Sequence, residues 1–164
     1  MDQASLQNLL NSLILTWENE VTEFKEASND YDTDKIGRYF SALANEANLR
    51  GHERAWLVFG INNKTRTITG TDYRAQPDRL QGTKENIASD TDPRGTTFRN
   101  IFELSTPSGR VILFEIPAAP RGIAIGWKGF YYSRAGESLM SLPQNKADEI
   151  RNQTLSSDWS AQIV

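Results

Sequence analysis

The stretch WENEVTEFKEA, Trp17 to Ala27, sets four glutamates and a lysine around one phenylalanine. Two kinds of chemistry fit Glu18, Glu20, Glu23, Phe24 and Lys25. An acidic strand can hold a hard divalent cation through carboxylate oxygens while a lysine faces a phosphate. A charged edge strand needs no chemistry, only an apolar anchor and solvated neighbours. On an ideal strand Glu23 and Lys25 share one face and Phe24 takes the other. Glu18 has the opposite parity from Glu23 and converges with it only across a bulge or bend. The structural alternative puts Phe24 in the core, pairs Lys25 with Glu23 or a neighbour, and leaves Glu18 and Glu20 in solvent.

Other chemistries are narrowed by what the chain lacks. There is no cysteine, which excludes a disulfide framework, thiol catalysis and cysteine metal sites. The single histidine, His52, excludes a histidine-rich metal site, and it lies in the polar run NLRGHER, which reads as a loop. No G-x-S-x-G elbow accompanies it. Neither G-x-x-x-x-G-K-[ST] nor G-x-G-x-x-G occurs, so no phosphate loop for a nucleotide is expected in these residues.

The elements that must position these residues follow from periodicity. Leu6, Leu9, Leu10, Leu13 and Ile14 make one apolar helix face, with Ser5 as its expected cap. Glu20 to Phe24 reads as a short strand. Thr33 or Asp34 caps a second helix with Ile36, Tyr39, Phe40, Leu43 and Ala44 as its buried stripe, and Gly51 stops it. Ala55 to Phe59 is apolar throughout, as in a central strand. Asn62-Asn63 is a turn and RTITGTDY a partner strand. QPDRLQGTKENIASD is a helix interrupted by Gly82. Two strands flank the turn Thr106-Pro107-Ser108-Gly109, and another pair breaks at Lys128-Gly129. A last helix runs from near Pro143 to about Gln153.

This order implies a single α/β domain of the α+β kind. A mixed, mostly antiparallel, curved sheet is flanked by two to four helices. The expected division is an N-terminal helix over 1–16, the domain proper over 17–153, and a tail over 154–164 that reads as the cut end of a longer protein. At 164 residues, with seven Phe, five Tyr and four Trp, the chain can bury a real core. No apolar run is long enough to span a membrane, and no secretory signal opens the chain. With cysteine absent, a cytoplasmic protein and no membrane partner are expected.

Net charge is −3, which argues against a wholly basic surface but not against a local one. Arg94, Arg99, Arg110, Arg121, Lys128 and Arg134 gather in the C-terminal half, interleaved with Phe98, Trp127, Phe130, Tyr131 and Tyr132. Basic side chains hold phosphates and an exposed aromatic can stack on an unpaired base. Most of these aromatics alternate on strands, which is the pattern of core packing. Arg121 and Lys128 flank a turn and are the stronger phosphate candidates. Arg134 is placed equally well to anchor Glu137 or another carboxylate.

Three stretches together resemble the Schlafen-type AlbA-like domain, the second AlbA family, found in bacterial proteins described as transcriptional regulators and in the Schlafen proteins of animals. The first is Glu18 followed, after four residues, by Glu23-Phe24-Lys25. The second is SALANEANLRGHERAWLVFGINN, Ser41 to Asn63, followed by TITG. The third joins FEIPAAPRG to GFYYSRAGESLMSLP. The resemblance spans about residues 17 to 153. It implies that Glu18, Glu23 and Lys25 are candidate catalytic residues, with Glu18 and Glu23 as ligands of Mg²⁺ or Mn²⁺ in a metal-dependent endonuclease acting on RNA or single-stranded DNA. It also marks a departure, because the family's third acid is replaced by Asn62, which offers a carbonyl oxygen and no charge. The preferred expectation is therefore nucleic-acid binding, DNA first, with Lys25, Arg99, Arg121, Lys128 and Arg134 as contacts and no resident cofactor. A nuclease with an altered carboxylate site is the alternative. A homodimer or interaction module without its own ligand is a third.

Overall fold

The computed structural model describes residues 1–16 and 21–163, with side chains up to Gln153. Helix α1 (Gln3–Leu15) buries Leu6, Leu10 and Leu13. Asp2, not Ser5, is its cap, accepting a 2.8 Å hydrogen bond from the Ser5 amide. Strand β1 (Thr22–Lys25) follows, then α2 (Thr33–Leu49), capped by Asp32, one residue before the expected Thr33 or Asp34. The chain continues through β2 (Arg54–Phe59), α3 (Pro77–Gln81), α4 (Thr83–Ala88), β3 (Thr91–Asp92), β4 (Asn100–Thr106), β5 (Gly109–Pro117), β6 (Gly126–Trp127), β7 (Phe130–Ala135), β8 (Ser138–Ser141) and α5 (Gln144–Ile163). The expected third helix is thus two short ones, α3 and α4, with Gly82 as the joint. The backbone of α5 stays helical to Ile163, ten residues beyond the expected stop at Gln153.

The strands form two four-stranded sheets, ordered β1-β2-β5-β4 and β3-β6-β7-β8. Among the described residues, only β1 and β2 pair in parallel. The sequence led us to expect one sheet. It is divided because the chain leaves the first sheet at Pro117 and follows α2 before β6 begins. The expected partner strand RTITGTDY is not one either. It makes a single bridge, Ile61 to Ile68, and then packs by backbone, with Thr69 and Gly70 both donating to the Gly60 carbonyl. A Cβ on Gly109 would lie 2.7 Å from the Gly70 Cα, so this crossing needs glycine.

The first sheet is buried on both faces, which explains the unbroken apolar run of β2. Ala55, Leu57 and Phe59, with Ile112, Phe114 and Ile116 of β5, join the core shared with α2. Trp56 and Val58, with Val111 and Leu113, pack with Phe24 beneath α1. Among the described residues no helix is long and apolar enough to cross a membrane.

Candidate nucleic-acid interface

Helix α2 is the scaffold. Residues 119–128 run antiparallel along it, fastened at successive turns. Asn48 donates to the carbonyls of Ala119 (2.9 Å) and Pro120 (3.1 Å). Asn45 accepts from the Ile125 amide (2.8 Å) and donates to the carbonyls of Ile125 (3.0 Å) and Tyr132 (2.9 Å). The Ser41 hydroxyl donates to the same Ile125 carbonyl (2.7 Å) and accepts from the Tyr132 amide (3.1 Å). The Trp127 ring lies flat against Gly37, and its indole N–H donates to Asp34 (2.8 Å). Positions 34, 37, 41, 45 and 48 share one helix face. This polar stripe is the signal that a search for chemical residues passes over. Asn45, the asparagine of SALAN, fastens backbone and not ligand.

The stripe fixes the β6–β7 hairpin. Lys128 and Gly129 both have positive φ, 50° and 84°, as a two-residue primed turn requires. The ammonium of Lys128 is 3.6 Å from Asp34 Oδ1 and 5.4 Å from the Trp127 ring centre. Arg38 reaches Asp34 Oδ2 at 2.6 Å. The Trp127 hydrogen bond, joined by the charges of Arg38 and Lys128, holds the Asp34 carboxyl below its usual range against the opposing effect of burial. Two cations therefore share one carboxylate, and beside them Phe130 is 67% exposed. Tyr131 is also exposed and donates its hydroxyl to Asp92; the expected core packing holds for Trp127 on β6 and for Phe98, which precedes β4, but not for Phe130 or Tyr131.

The remaining candidates do not join this tip. Ala119 and Pro120 bind Asn48, so Arg121 follows at the C-terminal end of α2. A 17-residue helix is about 25 Å long, which puts Arg121 and Lys128 near opposite ends of α2. Arg99 precedes β4 and reaches the buried Glu115 on β5 at 3.8 Å. Glu115 also receives Arg54 (3.0 Å) and the Asn100 amide (2.9 Å). Lys25 lies against Tyr39, 5.1 Å from its ring centre, on a side of α2 turned away from Asp34.

Glu23 is 2% exposed and Arg134 is 1% exposed. Arg134 donates to the Glu23 carboxylate at 2.7 Å and to the Thr22 carbonyl at 3.1 Å, and so ties β7 to β1. Arg134 thus anchors a carboxylate, that of Glu23, while Glu137 pairs with Arg66 at 3.4 Å. Lys25 makes a longer contact to Glu23, 3.5 Å, and Phe24 is core. Burial raises the Glu23 carboxyl above its ordinary range, although Arg134 and Lys25 pull it down. For Lys25, burial works to lower the ammonium, but the hydrogen bond with Tyr39 and the charge of Glu23 leave it raised.

Glu18 lies outside the described residues. Asn62 is occupied in its own turn, accepting from the amides of Lys64 and Thr65 and donating to Glu26. No group of three acidic or histidine side chains that could hold a metal occurs among the described residues. The described donors thus do not fit Mg²⁺ or Mn²⁺, since a cation on Glu23 would sit beside the Arg134 guanidinium.

The family model described as Schlafen, AlbA_2 matches residues 18–143. The DIP2311 protein from Corynebacterium diphtheriae has a similar structure, with a TM-score of 0.62 at 18% identity. That match covers 91% of this chain and 28% of the Corynebacterium chain, so the chain spans little more than a quarter of that protein. The N-terminal domain of a RecG-related protein from Nitrosomonas europaea matches with a TM-score of 0.52 at 20% identity, covering 84% of this chain and 92% of that one. No curated protein matches the sequence. At these identities the two structures speak for the fold, and the family match speaks for descent: the chain belongs to the Schlafen, AlbA_2 family.

Proposed function

We propose that this domain binds nucleic acid, DNA in the first instance, through the tip of the β6–β7 hairpin. The observation that carries this reading is Phe130, a large aromatic left 67% exposed next to Lys128 on a turn whose conformation is fixed from behind. An exposed ring stacks on any unpaired base, and adjacent cations hold the phosphates on either side. Lys128 and Arg38 share Asp34, so these three side chains carry one positive charge in excess, while Asp92 is held at the same hairpin by the Tyr131 hydroxyl. The RecG-related neighbour, whose name refers to an ATP-dependent DNA helicase, supports the same direction. In a bacterial regulator-like protein, such a tip would supply contact without strong sequence preference.

Fluorescence anisotropy with a labelled single-stranded oligonucleotide tests this. Phe130→Ala is expected to weaken binding by about 1–3 kcal/mol. Lys128→Glu should weaken it at low salt and flatten its salt dependence. Unchanged affinity in both variants would remove the hairpin from the interface. The hydrolytic alternative draws little from Glu23, whose carboxylate faces Arg134. Mn²⁺-dependent cleavage that is lost in Glu23→Gln, in a variant melting like the parent, would restore it.

A further inference from the structure

A second pair of cations on one carboxylate lies at the other end of the first sheet. We infer that Arg54 and Arg99, held side by side by Glu115, form a phosphate-binding site. Glu115 belongs to the central strand β5 and is 3% exposed. Its two oxygens are fully engaged. Oε1 accepts from the Asn100 amide at 2.9 Å, while Oε2 takes Arg54 at 3.0 Å and Arg99 at 3.8 Å. The strand register explains the gathering. Asn100 of β4 is directly opposite Glu115, and Arg99 donates its own amide to the Glu115 carbonyl at 2.8 Å. Arg54 opens β2 opposite Pro117, two residues beyond Glu115 and so on the same face.

A buried carboxylate needs counter-charge, and one arginine would meet that need. Two arginines exceed it. Their side chains remain 41% and 48% exposed, so a guanidinium edge of each is open to solvent. The competing anion in reach is Glu53, 85% exposed, whose contact with Arg54 is a long 3.4 Å. A flexible surface carboxylate at that distance is easily displaced. Planar guanidinium forks held from behind match the oxygens of a phosphate, which accepts paired N–H donors from each. The ligand class is therefore a phosphate group, whether inorganic or esterified in a nucleic-acid backbone. This site shares no residue with the hairpin tip.

The experiment is an NMR titration of the arginine Nε–Hε resonances with inorganic phosphate, against sodium chloride at equal ionic strength. Saturable shifts at Arg54 and Arg99 are expected with phosphate and not with chloride. In Arg54→Lys and Arg99→Lys, which keep the charge and spare Glu115 a lost partner, affinity should fall about tenfold or more because the fork is gone. A second arm uses an oligothymidylate without terminal phosphates. If it shifts the same two resonances, the natural source is a backbone phosphodiester. If only inorganic phosphate does, the source is a free phosphate. The inference is overturned if neither ligand gives saturable shifts, or if the lysine variants bind phosphate as the parent does. The Lys128 and Phe130 variants are not involved, so failure of the hairpin reading leaves this result independent.

Discussion

Glu23 and Arg134 are neighbours in space across 111 positions of sequence. Each would be costly to bury alone, and each makes the other tolerable. The Thr22 carbonyl completes the arrangement, so the pair also covers the open side of β1. Truncating one partner leaves a buried charge uncompensated. Glu23→Ala and Arg134→Ala are each expected to lose about 3–5 kcal/mol in urea unfolding. The double variant should lose much less than the two losses added, because no orphan charge remains. Additive losses would mean that the pair is not one unit. The sequence made part of this legible. Phe24 as core and Lys25 beside Glu23 follow from strand parity alone. Arg134 as the dominant partner did not, because nothing local marks which arginine among many turns inward. Asn62 was readable as an amide in an acidic position, and its own turn contacts supply a reason for it that needs no chemistry.

At the scale of elements, α2 was the easiest to read and the easiest to undervalue. Its apolar stripe predicted Ile36, Tyr39, Phe40, Leu43 and Ala44 in the core; four are there and Tyr39 is half-buried against it. Its opposite face carries Asp34, Gly37, Ser41, Asn45 and Asn48, small or polar residues at helical spacing, which look like a solvated surface until a second layer is known to cover them. Gly37 is the sharpest case. A Cβ there would stand 2.1 Å from the Trp127 ring. Alanine normally gains a helix about 1 kcal/mol over glycine. Here Gly37→Ala must push Trp127 away and break its bond to Asp34, so a net loss of about 1–3 kcal/mol is expected. Thermal melting and the near-UV signal of Trp127 measure it. A stabilised Gly37→Ala protein would show that the ring is not held against the helix. The two-sheet division was hidden for the same reason. The residues between β5 and β6 have no periodicity, because side chains of α2 and not strand partners satisfy their backbone.

For the whole molecule, the two sheets differ in how they are held. The first is sandwiched by apolar side chains from both faces, with β2 and β5 at its centre. The second is held to α2 by Trp127 and Tyr132 packed on the shared core, by side-chain hydrogen bonds, chiefly those of Ser41 and Asn45, and by the Arg134 bolt to β1. Polar fastenings of this kind are all-or-none. Asn45→Ala would leave the Ile125 amide without its acceptor and the Tyr132 carbonyl without its donor, at a cost of about 1–3 kcal/mol for each buried group left unmet. That cost falls on the junction and not on the first sheet. Native-state hydrogen exchange is therefore expected to show faster opening of the β6 and β7 amides in Asn45→Ala, while the amides of β2 and β5 keep their parent protection. The hairpin tip would loosen with them, so oligonucleotide affinity should fall although no contacting residue has changed. Asn45→Asp separates the two halves of the junction, since it retains an acceptor for the Ile125 amide and loses both donors. Its buried carboxylate would face the carbonyls of Ile125 and Tyr132, so it should be destabilised at least as much as the alanine variant. If β2 and β5 accelerate as much as β6 and β7, the domain opens as one unit and the second sheet is no separate lobe.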